Sequence, residues 1–133
     1  MFVDASAIVA ILTGEPEANR FSDLLESATR RLTSPIALFE ATLGICRKRH
    51  ATVVEAEADV QEFLGIATID CVSITAEDSH AALVAFARYG KGTCHPAQLN
   101  LGDCFAYALA RNRNLPLLFK GDDFARTDIE IAA

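Results

Sequence analysis

Met1-Phe2-Val3-Asp4-Ala5-Ser6-Ala7-Ile8-Val9-Ala10-Ile11-Leu12 reads as a short buried strand, Met1 to Val3, that ends on Asp4 and passes directly into a helical turn or two over Ala5 to Leu12. Thr13-Gly14 stops that helix. The remainder of the chain repeats the alternation. Glu15-Pro16-Glu17 places acids and a proline in a first turn and predicts a helix to about Ala28. Arg31 to Ser34 reads as a second strand. Pro35 opens a helix through Arg49, and its last turn carries the cations Arg47, Lys48 and Arg49, the sign that a helix C-terminus favours. Ala51 to Ile66 predicts a further helix, Ala67 to Ser73 a strand, and Ala76 to Tyr89 a helix closed by Gly90. A polar loop over Gly90 to Leu101 leads to an alanine-rich helix, Asp103 to Arg113, and a strand, Pro116 to Phe119. A turn after Gly121-Asp122-Asp123 and a last strand at Ile129 to Ile131 complete the chain. Strands alternating with helices define an α/β fold with a parallel sheet covered on both faces. In such sheets, ligands bind outside the carboxyl ends of the strands.

At 133 residues, 51% of them hydrophobic, the chain is expected to form one domain, residues 1–133. No apolar run approaches the ~20 residues needed to span a bilayer. The N-terminus shows neither a cationic region nor a small-residue cleavage site, so a cytoplasmic protein is expected. Cys46, Cys71, Cys94 and Cys104 lie far apart with no CxxC spacing and read as reduced thiols. The net charge of −6, from 18 acidic and 12 basic residues, argues on bulk charge against nucleic-acid binding.

Certain acids nevertheless stand where surface charges rarely do. Asp4 directly follows the first strand, a position also explained by helix N-capping. Glu40 sits in Pro35-Ile36-Ala37-Leu38-Phe39-Glu40-Ala41-Thr42-Leu43, flanked by apolar neighbours and sharing its helix face with Ile36, Ala37, Leu43 and Gly44. It is expected to be largely buried, and buried carboxylates are rare unless paired or metal-bound. Asp103 opens a helix otherwise without charge until Arg111. Asp122 and Asp123 follow a strand, where adjacent aspartates are also ordinary turn residues. Carboxylates gathered without cations raise each other's pKa unless a positive charge sits between them. The natural occupant is a hard divalent cation, Mg²⁺ or Mn²⁺.

Asp4 with Ser6 in D-x-S-A, Glu40 on a helix, Asp103 in Leu99-Asn100-Leu101-Gly102-Asp103-Cys104-Phe105-Ala106-Tyr107, and Phe119-Lys120-Gly121-Asp122-Asp123-Phe124 followed by Thr127-Asp128 together resemble a PIN domain. More closely, they resemble the VapC ribonuclease toxins of type II toxin–antitoxin pairs, in order and spacing, over residues 2 to about 130. The resemblance implies a three-layer α/β/α fold with a central, mostly parallel sheet. It implies an Mg²⁺-dependent endoribonuclease cleaving tRNA- or rRNA-class RNA. It makes Asp4, Glu40 and Asp103 the metal-holding acids, with Ser6 in support and Asp123, or as second choice Asp122, as the fourth acid. It further implies a VapB-type antitoxin as inhibitor and partner, and a homodimer. With four site acids set aside, 14 acidic residues face 12 basic ones, a net of −2, which shrinks the charge objection. Arg47, Lys48, Arg49, Lys91, Arg111 and Lys120 are available for phosphates, although the Arg47 to Arg49 run also suits a solvated helix end.

Other chemistries fit less of the chain. Cys46 and His50, four apart on one helix, have a zinc-compatible spacing but no matched second pair. A phosphohydrolase with Asp4 as nucleophile needs a second acid two residues later, where Ser6 stands. A catalytically inactive PIN-like binding module is the alternative from another class, and metal-dependent cleavage separates the two.

Overall fold

In the computed structural model, which describes all 133 residues, four two-residue strands form one parallel sheet. These are β1 (Phe2–Val3), β2 (Leu32–Thr33), β3 (Asp70–Cys71) and β4 (Leu117–Leu118), in the order β3-β2-β1-β4. The strand pleat alternates their side chains between faces. Val3 and Leu118 enter one apolar cluster, while Phe2, Leu32 and Leu117 enter the other. The first cluster is covered by α1 (Ala5–Leu12), α2 (Ala18–Ser27), α3 (Pro35–Arg49) and α4 (Val53–Ala67). The second is covered by α5 (Ala76–Tyr89) and α6 (Leu101–Asn112). The three-layer α/β/α architecture expected from the sequence is therefore present.

Local capping sets where the helices begin. Ser34 Oγ accepts from the Ala37 N–H at 3.1 Å, and Pro35 fills the first position of α3, where a missing N–H costs nothing. Thr52 and Glu55 form a reciprocal capping box on α4, so that helix starts at Val53 rather than Ala51. A similar box joins Asn100 and Asp103: Asn100 Oδ1 accepts from the Asp103 N–H at 2.9 Å, and Asp103 Oδ2 accepts from the Asn100 N–H at 3.0 Å. Consequently α6 begins at Leu101, and Asp103 is its third residue instead of its opening one.

Three expected elements are shorter than the sequence suggested. The segment Ala67 to Ser73 begins as the last residue of α4, and only Asp70–Cys71 pairs, as an exposed edge strand. Glu15 to Glu17 forms a turn, and α2 starts at Ala18. Ile129 to Ile131 contributes a single parallel bridge, Ile131 to Leu117. Beside its backbone bonds to Leu117, the tail is held by side chains: Asp128 accepts from Tyr107 at 2.5 Å and Tyr89 at 3.1 Å, and ion-pairs with Arg111 and Arg88. On the same face, buried Asp78 of α5 pairs with Arg113 at 2.9 Å, binding α5 to the end of α6.

Strand order places the site. The chain leaves β1 toward β2 on one side, while β4 pairs on its other side, which makes the carboxyl end of β1 the point where the topology reverses. Asp4 is the residue at that end.

Candidate active site

A cleft of about 470 Å³ opens at this edge, lined by Asp4, Ser6, Glu40 and Asp103 on its acidic part. Asp4 arrives from β1, Glu40 from the middle of α3, and Asp103 from the first turn of α6. Asp4 is 6% exposed and is the N-cap of α1, so its capping and its place in the cleft coexist. Its Oδ2 accepts from the Ser6 N–H at 3.0 Å and from the Ser6 hydroxyl at 2.6 Å. Ser6 Oγ in turn accepts from the Lys120 N–H at 3.0 Å, which links the ends of β1 and β4 through one hydroxyl.

Glu40 is half-buried, less so than its apolar flanks imply, because its side of α3 faces the cleft. The backbone of α6 makes room for it. A Cβ at buried Gly102 would lie 2.0 Å from Glu40 Oε1 and 2.4 Å from its Cδ and Oε2, so the carboxyl occupies space that only glycine leaves free.

The three carboxyls act on one another. Burial, reinforced by the charges of Asp4 and Asp103, pushes Glu40 up to about 7. Burial raises Asp103 to about 6 against the opposing hydrogen bond from Asn100, with Asp4 and Asp123 adding to the rise. Burial also raises Asp4, and the hydrogen bonds from Ser6 oppose it. None of the three is within salt-bridge distance of a lysine, arginine or histidine. The contrast with Asp78, paired to Arg113, and Asp128, paired to two arginines and two tyrosines, marks these acids as ones without a paired cation, Lys91 acting on Asp103 only from beyond salt-bridge distance.

The donor set is all oxygen, which suits a hard divalent cation and not zinc. No three carboxylates close on one point as a complete ligand cage would. Asp122 and Asp123 are both exposed and lie outside the cleft lining, and only Asp123 acts electrostatically on Asp103. Cys46 is partly buried, His50 caps the end of α3, and no group of three His, Cys, Asp or Glu side chains is placed to hold a metal there. All four cysteines are free.

Two residues of the site, Glu15 in the cleft lining and Gly102 against Glu40, carry no local signal in the sequence. Glu15 looked like a helix-start acid, and nothing local distinguishes it from one. Gly102 precedes Asp103 in a helix start, and its role appears only when α3 is laid beside α6.

Comparison with known proteins gives a consistent result. Residues 1–130 match the PIN domain family. Over 133 residues the chain is 43% identical to ribonuclease VapC30 of Mycobacterium tuberculosis, covering all of this chain and 98% of that protein. Its fold is similar to the crystal structure of Mycobacterium tuberculosis VapC20, described as a Sarcin-Ricin loop cleaving toxin, with TM-score 0.75 and 17% identity over 96% of this chain and 95% of that one. A chain of a toxin-antitoxin complex from Klebsiella pneumoniae aligns with TM-score 0.66 and 20% identity, over 93% of this chain and 89% of that one.

Proposed function

The chain belongs to the PIN domain family, and within it to the VapC ribonucleases, and from that premise we propose that Asp4, Glu40 and Asp103 hold Mg²⁺, with Mn²⁺ as a substitute, in a site that cuts tRNA- or rRNA-class RNA. The observation that carries the reading is the convergence of three carboxyls, two of them raised to about 6 and about 7, on one cleft with no paired cation. When bound, the cation neutralises phosphoryl oxygens and lowers the pKa of water at the site.

The chain's own residues supply orientation and proton transfer. Ser6 fixes the Asp4 carboxylate by donating to Oδ2, and its bond from the Lys120 N–H fixes the hydroxyl itself. Glu40, pushed up to about 7, orients the attacking water and accepts its proton. Asp123 serves as a fourth, outer acid acting on Asp103, with Asp122 the second choice. One nuclease domain over residues 1–133 carries all of these groups.

VapC toxins pair with antitoxins. In this reading a VapB-type antitoxin lays an extended or helical tail across the acidic cleft and inserts an arginine among the unpaired carboxylates. The protein acts in the cytoplasm, and no helix is long and apolar enough to cross a membrane. Exposed Leu83 and Phe86 of α5 and Leu101 of α6 form an apolar groove between these helices, which supports a homodimer.

The test is titration calorimetry with Mg²⁺ and Mn²⁺ beside RNA cleavage, on the parent and on Asp4→Asn, Glu40→Gln and Asp103→Asn. Each variant is expected to lose cleavage and to weaken cation binding, Asp4→Asn and Asp103→Asn the most. Folded variants that bind cations and cut RNA like the parent would overturn the assignment.

A further inference from the structure

The cleft holds a second charged group beside the acids. Lys48, in the last turn of α3, pairs with one oxygen of Glu15, and Lys120, just after β4, pairs with the other. Lys120 Nζ also lies 3.4 Å from Glu17 Oε2. Arg47 lines the cleft beside them. The Glu15 side chain is only 11% exposed, whereas Lys48 and Lys120 remain 48% and 37% exposed. Three cations thus face this part of the cleft, and the one acid lining it there is already engaged.

An ordinary surface ion pair needs one cation per acid and contributes little. Here the buried partner is the acid, and its two lysine side chains stay partly exposed. An ammonium has three donors, and Glu15 takes one from each lysine. Lys120 turns a second donor toward Glu17, and the donors left on the two lysines, with Arg47 lining the same cleft, match the oxygens of a phosphate.

Placement relative to the acids follows from α3. Seven residues separate Glu40 from Arg47, about 10 Å of helix, so the cations lie beyond the carboxyls along one side of the same cleft. Lys120 is also tied to the acidic part, because its backbone N–H donates to the Ser6 hydroxyl that holds Asp4.

We propose that Lys48, Lys120 and Arg47 form a subsite for a backbone phosphate of the RNA strand next to the one being cut, and that Glu15 is a positioning residue holding the two ammonium groups together. The proposal rests on the RNA-cleaving reading above. Such a subsite sets strand position without reading base identity.

The experiment measures binding of a fluorescein-labelled single-stranded RNA oligonucleotide to the Asp4→Asn protein, which does not cut, across a salt series. Each phosphate charge neutralised on a single strand contributes roughly 0.7 to the slope of log affinity against log salt. Lys48→Gln/Lys120→Gln in that background is expected to lower the slope by about 0.7, one phosphate's share, and to weaken binding about fivefold near 0.1 M salt. Lys48→Arg/Lys120→Arg should restore the slope. Glu15→Gln, which removes the counter-charge while leaving the lysines, should tighten binding several-fold. An unchanged slope in the folded double glutamine variant would overturn the subsite alone. Failure of the Asp4→Asn parent to bind RNA at low salt would overturn the RNA-cleaving reading and the subsite with it.

Discussion

Replacing Gly102 with alanine shifts one carboxyl of the site and little else. The added Cβ would sit 2.0 Å from Glu40 Oε1 and 2.4 Å from Cδ and Oε2, whereas real Cβ contacts essentially never fall under 3.0 Å. The Glu40 carboxyl must therefore retreat by about 1 Å. Its three clashing atoms belong to the free end of a flexible side chain, so the backbones of α3 and α6 can stay in place. Alanine in a helix is favoured over glycine by up to about 1 kcal/mol, which offsets the local crowding. Misplacing a reacting group by about 1 Å can cost on the order of 10²-fold in rate. Gly102→Ala is thus expected to cut RNA about 100-fold more slowly while unfolding within a few degrees of the parent. Initial cleavage rates and thermal melting measure both. In a Glu40→Ala background the new methyl meets no carboxyl, so the same change should have no further effect. Parental cleavage by Gly102→Ala, or an equal loss in both backgrounds, would refute the reasoning.

Three other outcomes follow from the packing and charge. Without divalent cations, folded Glu40 and Asp103 keep protons up to about 7 and about 6, which the unfolded chain has already released. Melting temperature in EDTA should therefore fall as pH rises from about 5 to 7, and saturating Mg²⁺ should flatten that slope; equal slopes in both buffers would contradict it. Asp78→Ala leaves Arg113 without its partner and removes the α5 capping box, for a loss of about 3 kcal/mol by urea unfolding. Arg113 holds the Asp78 carboxyl far below its ordinary range, so this contribution persists above about pH 4 and is lost only as the pH falls further. Leu83→Glu puts a charge on the exposed groove between α5 and α6 and should yield monomers in analytical ultracentrifugation with the fold intact.

Much of this is legible in the sequence. The alternation of strands and helices shows because each buried strand is a short apolar run between a helix end and an acid or a cap, as in Phe2-Val3-Asp4. Asp4 was identifiable from its place at a strand end, and Glu40 from an apolar setting that surface acids avoid. The weak elements were not readable, because a two-residue strand such as Asp70–Cys71 is defined by its partner Leu32–Thr33 and not by its own composition. Asp103 looked like the first residue of its helix because the Asn100 cap sits in a polar loop that offers several such side chains. The roles of Gly102 and Glu15 depend on what α3 brings against them. In the chain, Gly102 and Glu40 are 62 positions apart, and Lys120 is 105 from Glu15.

The chemistry of the cut ends tests the central claim most directly. Purified protein, free of antitoxin, is incubated with total cellular RNA and Mg²⁺, beside EDTA and Asp4→Asn controls, and the fragment ends are analysed. If Asp4, Glu40 and Asp103 hold the cation that supports hydrolysis by water, cleavage would leave a 5′-phosphate and a 3′-hydroxyl, and both controls should show no fragments. A 2′,3′-cyclic phosphate, or fragments that persist in EDTA, would contradict the account.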